Sequence, residues 1–126
     1  MAGEADAPHL PRPVLIDAYG NGGFRFGGMS HRGSLLCFPD GIWAWPARGT
    51  ADLNEESLSQ IVARADKLDV VLIGTGRDLW PLPPQLRALF RSKLLSVDSM
   101  ATGAAVRTYN ILLAENRRVG AGLIAV

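Results

Sequence analysis

Near the middle of the chain lies the sequence Asp69-Val70-Val71-Leu72-Ile73-Gly74, an uninterrupted run of β-branched and apolar residues that ends at a glycine. A half-exposed strand alternates polar and apolar residues, whereas a continuous run of this kind is typical of a strand buried on both faces, as in a parallel sheet. Parallel strands need long crossover connections, which are usually helices. This run therefore predicts an α/β fold.

The segment after this strand predicts a helix and a second strand. Pro83 and Pro84 suit a first helical turn, where a missing backbone N–H costs nothing. The apolar residues that follow recur at helical spacing and predict a buried stripe of Leu86, Leu89, Phe90 and Leu94. Residues 95–97 then predict a short strand.

One more helix and one more strand follow. Thr102 is predicted to cap this last helix, and Asn116 stands where a left-handed residue ends a helix. The inward face of the helix is expected to consist of Ala105, Tyr109, Leu112 and Leu113. With a final strand over residues 119–126, in which Gly120 and Gly122 permit a close approach on one face, this half forms a βαβαβ unit.

The first half predicts antiparallel strands and then a helix. Turn sequences rich in glycine separate short apolar or aromatic runs over residues 14–19, 24–26, 35–38 and 42–45. Trp43 and Trp45 fall on one face of the last of these strands, and a core position is favoured over an interface. After this strand, Asp52 is predicted as the N-cap of a helix with the apolar stripe Leu58, Ile61, Val62 and Ala65.

The 126 residues fit one α/β domain with a mixed β-sheet, in which N-terminal antiparallel strands precede a parallel βαβαβ unit and helices pack on the sheet. Residues 1–13 lack apolar periodicity and predict a disordered or loosely attached tail, so the domain is expected to span residues 14–126. No signal-peptide pattern and no membrane-spanning apolar run is present, so a soluble, cytoplasmic protein is expected.

Composition favours no charged or redox-active partner. Thirteen Lys and Arg against twelve Asp and Glu give a formal net charge of +1, which argues against nucleic-acid binding and membrane binding. Cys37 lies in an apolar run and is expected in the core. With one cysteine and two histidines, His9 and His31, no metal site is expected, and no cofactor or catalytic residue is assigned.

The Gly-Thr-Gly sequence at the end of the 69–74 strand is the first candidate site. Ligands bind at the carboxyl ends of strands in α/β sheets, and glycine N–H groups can approach an anion there. The N-terminus of the last helix is expected at the same edge. The candidate ligand-binding residues are Gly74, Thr75, Gly76, Arg77, Thr102 and Arg107. A tight structural turn is nevertheless the favoured interpretation of the Gly-Thr-Gly sequence.

The last helix carries a second candidate site. Asparagine is unfavourable inside a helix, so Asn110 is expected to make a specific hydrogen bond, either within the protein or to a partner. Arg107 and Asn110 lie on a common face. Arg107, Tyr109 and Asn110 are therefore candidates for partner contact or for structural hydrogen bonding. Tethering of a neighbouring loop is favoured over catalysis.

Three stretches resemble a known family. They are residues 19–45, with YGNGGFRFGG, Pro39-Asp40-Gly41 and a Trp strand; the loop VLIGTGRDLWPLP; and the ending VRTYNILLAENRRVGAGLIAV. The family is a domain of unknown function whose relatives include the mitochondrial NADH dehydrogenase alpha-subcomplex assembly factor 3 and the adipogenesis-associated Mth-domain protein. The resemblance covers about residues 14–126. It implies a single-domain α/β fold of the Mth type, no established catalytic activity and, by analogy with the mitochondrial relative, a role in complex I assembly.

Two positions depart from the family pattern. Relatives tend to have Asp where this chain has Ala101 and Cys where it has Val106, so chemistry that depends on those groups is lost here. The resemblance, together with the lack of a recognisable nucleophile, acid–base pair or metal site in the sequence, favours a non-enzymatic interaction or assembly protein with respiratory complex subunits or assembly proteins as partners. A monomer or weak homodimer is expected, since short edge strands and an exposed Trp face would support a dimer. The alternative is a small-molecule or anion-binding protein, or a cryptic enzyme, that uses the Gly-Thr-Gly loop and the start of the last helix.

Overall fold

The computed structural model describes residues 8–126, and every structural statement below refers to these residues. The strands are β1 (Ile16–Gly20), β2 (Gly23–Phe26), β3 (Met29–Arg32), β4 (Ser34–Phe38), β5 (Gly41–Trp45), β6 (Val70–Gly74), β7 (Ser96–Met100) and β8 (Val119–Leu123). The helices are α1 (Ser59–Ala63), α2 (Pro84–Ser92) and α3 (Thr102–Ala114), with 3-10 segments at Thr50–Asp52 and Ala65–Lys67.

The strands form two sheets. One is a three-stranded antiparallel sheet in the order β1-β2-β3, and the other has five strands in the order β5-β4-β8-β6-β7. Strand β6 pairs in parallel with both β7 and β8, while β4 pairs antiparallel with β5 and β8. The predicted mixed α/β domain, with antiparallel strands before a parallel βαβαβ unit, is confirmed.

The five-stranded sheet is covered on both faces. Alternate residues of a strand point to opposite sides, so Leu35 contributes to one apolar cluster and Leu36 to the other. The three-stranded sheet and α3 pack on the first face, and α1 and α2 pack on the second. Trp43 and Trp45 are buried on the second face, which confirms their predicted core position.

Two glycines of β8 allow side chains on the second face of the sheet to approach this strand closely. A Cβ atom at Gly120 would lie 2.9 Å from Leu68 Cδ1, and one at Gly122 would lie 2.9 Å from Trp45 Cη2. Real Cβ atoms do not tolerate such distances, so a side chain at either position would displace its neighbour. The predicted close approach is confirmed, although side chains rather than another backbone make it.

The first helix is shorter than predicted. Helix α1 starts at Ser59, and Asp52 is not its N-cap, because Asp52 Oδ2 accepts the backbone N–H of Arg48 at 2.8 Å. The Asn54 Oδ1 atom accepts the Ser57 backbone N–H at 2.8 Å, and the Ser57 hydroxyl accepts the Asn54 N–H at 3.0 Å. This reciprocal pair is a capping box with Asn54 in the place predicted for Asp52, and the Leu58 N–H donates to the Asn54 carbonyl at 3.1 Å.

The predicted place of Leu94 in a buried stripe is wrong. Leu94 follows the end of α2, has a φ of +58° and is 96% exposed. The Leu95 N–H donates to the Phe90 carbonyl at 3.1 Å and the Leu94 N–H to the Arg91 carbonyl at 2.9 Å, which is the Schellman pattern of a helix end. Asn116, with a φ of +62°, occupies the same position after α3, as predicted.

Strand β3 was not predicted, because Met29-Ser30-His31-Arg32 has no apolar alternation. The β2–β3 hairpin turns through Gly27 and Gly28, both at positive φ. The three-stranded sheet packs its apolar side, with Ile16, Phe24 and Phe26, against the first face of the larger sheet.

Residues before position 14 also make backbone hydrogen bonds to β5, while the domain bounds of residues 14–126 stay a prediction. The His9 N–H donates to the Ile42 carbonyl at 2.7 Å, and the Ile42 N–H donates to the Leu10 carbonyl at 3.0 Å. Leu10 thus forms a bridge to β5, and this part of the predicted tail contacts the sheet. Residues 1–7 of the predicted tail lie outside the described residues. Within the described part of the chain, no helix is long and apolar enough to cross a membrane.

Leu94 and Asn116 occupy equivalent positions after α2 and α3, so substitutions at the two positions can be designed to have opposite effects on stability. A non-glycine residue in the left-handed conformation costs about 1 kcal/mol, less for Asn than for Leu. Leu94→Gly should therefore raise the free energy of unfolding by about 0.5–1 kcal/mol, and Asn116→Leu should lower it by a similar amount. Chemical denaturation of both variants beside the parent protein measures the two shifts. Equal or same-signed shifts would contradict the assignment of both residues to one type of helix end.

Candidate functional site

The Gly-Thr-Gly loop and the start of α3 meet at the carboxyl ends of β6 and β7. The Gly76 N–H donates to Thr102 Oγ1 at 2.9 Å, and the Thr102 N–H donates back to the Gly76 carbonyl at 2.8 Å. The Thr75 N–H donates to the Met100 carbonyl at 2.9 Å. Four of the candidate ligand-binding residues, Gly74, Thr75, Gly76 and Thr102, are thus neighbours in space.

Thr102 joins three elements at this junction. Its side chain is fully buried, and its hydroxyl donates to the Ile124 carbonyl at 2.6 Å while accepting the Gly76 N–H. The Ile124 N–H donates to the Gly74 carbonyl at 3.0 Å. The Thr102 hydroxyl therefore ties the residue after β8 and the loop after β6 to the first turn of α3.

Thr75 performs a similar task within the loop itself. Its buried hydroxyl donates to the Asp78 carbonyl at 2.6 Å and accepts the Trp80 N–H at 3.2 Å. Gly76 has a φ of +104°, a conformation that favours glycine. The geometry supports the structural turn that the sequence favoured, because both threonine hydroxyls already have protein partners.

Arg77 and Arg107 differ from the other candidates because both are exposed. Two surface cavities stand out on the described residues, one of about 660 Å³ between α1 and α2 and one of about 460 Å³ on the three-stranded sheet. Neither cavity is lined by a residue of the Gly-Thr-Gly loop or of α3. Ligand binding by Arg77 and Arg107 stays a prediction.

The two departures from the family pattern have different structural consequences. Ala101 is the N-cap residue of α3 and provides no side-chain hydrogen bond to the first turn, a role for which Asp is well suited. Val106 is buried in the apolar cluster between α3 and the sheet. One departure therefore leaves a helix end uncapped, and the other places an apolar side chain in the core.

Asn110 makes the specific hydrogen bonds that the sequence predicted. Its Oδ1 atom accepts the Ile16 N–H at 2.8 Å, and its Nδ2 group donates to the Ile16 carbonyl at 2.9 Å. The side-chain amide thus pairs with β1 in the way that a neighbouring strand would. These bonds support a tethering role for Asn110, with a strand rather than a loop as the tethered segment.

Tyr109 and Cys37 belong to the core beneath α3. Both side chains are fully buried, and the Tyr109 hydroxyl donates to the Val14 carbonyl at 3.5 Å. Burial raises the pKa of the Cys37 thiol to about 12, against a smaller opposite effect of its hydrogen bond with Tyr109. Burial also raises the pKa of the Tyr109 phenol. Both groups are neutral at physiological pH, and the predicted core position of Cys37 is confirmed.

A histidine pair was not predicted from the sequence, because its two members lie in separate segments. His9 Nε2 is 3.1 Å from His31 Nδ1, and His31 Nε2 is 3.1 Å from the Ser34 carbonyl. The carbonyl can only accept, so His31 Nε2 carries a proton and Nδ1 accepts from His9. Burial and then the neighbouring His9 lower the pKa of His31. The pair attaches the segment before β1 to β3.

A cationic surface on the three-stranded sheet was also missed. Its residues, which we name the arginine face, are Ala18, Gly23, Arg25, Ser30 and Arg32. They line the cavity of about 460 Å³. The Gly27-Gly28 turn was the available signal, since a two-residue hairpin at that point sets the register that brings the two arginines together.

The fold and the junction at Thr102 define a small mixed α/β domain of the Mth938 type. The Mth938-like domain of Bordetella pertussis is 30% identical and matches with a TM-score of 0.75, over 89% of this chain and 85% of that chain. The model of the family described as protein of unknown function (DUF498/DUF598) matches residues 16–124, and the chain belongs to that family. The family and the fold type predicted from the sequence are both confirmed.

Two further relatives extend the comparison. A crystal structure described as an outer membrane protein from Bartonella henselae is 52% identical, with a TM-score of 0.89 over 94% of this chain and 99% of that chain. The mouse NADH dehydrogenase (ubiquinone) 1 alpha subcomplex assembly factor 3 is 32% identical over 91% of this chain. This chain spans 62% of the mouse protein's length.

The Asn110 tether predicts a local effect on the three-stranded sheet. Asn110→Ala leaves the N–H and carbonyl of Ile16 without partners, so the free energy of unfolding should fall by about 1–3 kcal/mol. Hydrogen exchange at the Ile16 amide should accelerate. Ile111→Ala, at an exposed position of the same helix, serves as the control and should change neither quantity. Unchanged exchange in Asn110→Ala would contradict a tethering role.

A second prediction separates a structural Thr102 from a ligand-binding one. Thr102→Val keeps the shape but removes the hydroxyl that serves Gly76 and Ile124, so the free energy of unfolding should fall by about 2–4 kcal/mol. Thr102→Ser keeps the hydroxyl and should lose about 1 kcal/mol, the cost of a buried methyl group. Denaturant unfolding measures both. A Val variant as stable as the Ser variant would favour a ligand role instead.

Proposed function

We propose that this protein is a non-enzymatic interaction protein that assists the assembly of a multi-subunit complex of the respiratory complex I type. The observation that carries the proposal is the similarity of 91% of the chain to a mouse protein named as a complex I assembly factor. This chain spans 62% of that relative, so we infer a shared binding role for the matched domain alone.

The state of the buried polar groups supports binding rather than turnover. The hydroxyls of Thr75 and Thr102 are engaged with backbone groups, which leaves them no proton to exchange with a substrate. A cysteine nucleophile must be a thiolate, and the Cys37 thiol, with a pKa raised to about 12 by burial, is protonated at neutral pH. These groups serve the fold.

The outer side of α3 is the contact surface that the proposal assigns. Arg107 and Ile111 are one helical turn apart and both exposed, Ile111 by 58%. Arginine is enriched at protein interfaces, and Ile111 adds exposed apolar area beside it. Of the three candidates for partner contact, Arg107 keeps that role, whereas Tyr109 and Asn110 act within the structure. Complex subunits or assembly proteins are the partners, and a cytoplasmic location belongs to the same proposal.

Cross-linking in cells of the native host tests this function. Tagged protein is recovered after mild cross-linking, and its partners are identified by mass spectrometry. Subunits of NADH dehydrogenase or its assembly proteins should be enriched. The variant Arg107→Glu/Ile111→Glu should reduce their recovery at least about tenfold, because it reverses a charge and removes apolar area at the proposed contact.

The matched control carries two substitutions on the exposed side of α2, Arg87→Glu/Ala88→Glu, and should recover the same partners as the parent protein. Thermal unfolding of each variant verifies that the fold is retained. Recovery without any component of such a complex, together with turnover of a metabolite by the purified protein, would refute the proposal.

A further inference from the structure

The arginine face is a cationic surface on the outer side of the three-stranded sheet. In the β2–β3 register, Arg25 lies opposite Ser30 and Gly23 lies opposite Arg32. Residues two apart on a strand point to the same side, so Arg25 and Arg32 project from the same side of the sheet. The opposite side carries Phe24 and faces the core. The two guanidinium groups are therefore diagonal neighbours on the outer surface.

Neither arginine has a charge partner within residues 8–126. The ion pairs found there join Arg64 to Asp40 and Arg118 to Asp69, and no hydrogen bond to the side chain of Arg25 or Arg32 is found. Two adjacent like charges on a folded surface repel each other. An anionic group placed between them removes this repulsion and gains charge-assisted hydrogen bonds.

Among residues 8–126, no strand pairs with the outer edge of β3 beside this face. Phe24 pairs with His31 and Phe26 with Met29, and a two-residue turn makes these the pairs whose backbone bonds join β2 and β3. The backbone groups of Ser30 and Arg32 consequently point away from β2. In the described part of the chain, β3 pairs with β2 alone, and no hydrogen bond to these outward groups is found.

We propose that β3 and the arginine face bind an acidic, extended segment of a protein partner by strand addition. The added backbone pairs with the outward groups of Ser30 and Arg32, and its Asp or Glu side chains, which recur at every second position, lie on the arginine face. This inference rests on the proposed function, because it assumes a protein partner and names the chemistry of the segment that binds.

The shape of the face favours an extended segment. Arg32 belongs to β3 itself, beside the added strand, whereas Arg25 lies one strand further away. Ser30, opposite Arg25, is small, so the long Arg25 side chain can reach across β3 toward the added strand. The rest of the face is formed by Ala18 and Gly23, which have no bulky side chains to obstruct an approaching segment. A small anion would use the guanidinium groups and leave the strand edge open, whereas an acidic strand uses both.

The first test is direct binding to the full chain. The probe is a fluorescein-labelled peptide of alternating Val and Glu, and its neutral counterpart alternates Val and Gln. Fluorescence anisotropy should show binding of the Glu peptide, and Arg25→Glu/Arg32→Glu should weaken it at least about tenfold through reversal of both charges. The matched control is Arg87→Glu/Arg91→Glu on the exposed side of α2, which should bind as the parent protein does.

A second variant tests the strand edge separately from the charge. Ser30→Pro removes an N–H that points away from β2, so the hairpin keeps its internal bonds while strand addition loses a donor. Affinity for the Glu peptide should fall at least about tenfold. Should this variant fail to fold, amide exchange in the parent protein replaces it, because bound peptide must slow exchange at Ser30 and Arg32.

Two outcomes overturn the inference. One is equal binding of the Glu peptide by both double-arginine variants. The other is a pair of results that together define a small-anion site. Inorganic tripolyphosphate displaces the peptide, and the strand edge proves uninvolved, because Ser30→Pro binds the peptide fully or because bound peptide does not slow exchange at Ser30 and Arg32. The cross-linking experiment, repeated with Arg25→Glu/Arg32→Glu, distinguishes this failure from that of the proposed function. Parental recovery of complex subunits without peptide binding refutes the strand addition alone, and peptide binding without such subunits refutes the assembly role alone.

Discussion

Strand β8 connects the two halves of the fold, because it pairs in parallel with β6 on one edge and antiparallel with β4 on the other. Without it, the antiparallel strands and the parallel unit would be separate sheets. Glycine at positions 120 and 122 lets Leu68 and Trp45 pack close to this strand, because a Cβ atom at either position would lie 2.9 Å from one of these side chains and displace it. The carbonyl of Ile124, the residue after β8, accepts a hydrogen bond from the Thr102 hydroxyl, so the placement of α3 depends on β8 as well.

The sequence predicted those elements whose burial is visible in the pattern of neighbouring residues. Strand β6 was recognisable because burial on both faces makes every residue apolar, and the parallel unit followed from it. Leu94 was assigned wrongly because it continues the helical spacing from Phe90, and no glycine marks the end of α2. Asp52 failed as a cap because Asn54, two residues later, makes the reciprocal capping bonds with Ser57, while the Asp52 carboxylate accepts the Arg48 N–H. Strand β3 carries almost no apolar signal, since it is an exposed edge.

The candidate site shows a different limit of sequence information. A polar residue inside a helix indicates that a hydrogen bond exists, and Asn110 was singled out correctly for that reason. Its partner, Ile16, lies 94 positions away, and Thr102 bonds to a carbonyl 22 positions away. Local patterns carry no information about such partners. The sequence therefore favoured a tether at Asn110 without indicating which segment it holds. Arg25 and Arg32 became neighbours only through the register of a hairpin.

The same tether also connects the two surfaces to which we assign binding. Asn110 fixes β1 against α3, and β1 is hydrogen-bonded to β2, which carries Arg25. Arg107 and Ile111 lie on the exposed side of that helix. Because a side-chain amide pairing with both backbone groups of Ile16 restrains the strand in position and in register, the arginine face keeps a fixed relation to the outer side of α3. A partner that contacts both surfaces therefore meets a preorganised site, and binding costs less conformational entropy than it would if β1, β2 and α3 had to be ordered on binding.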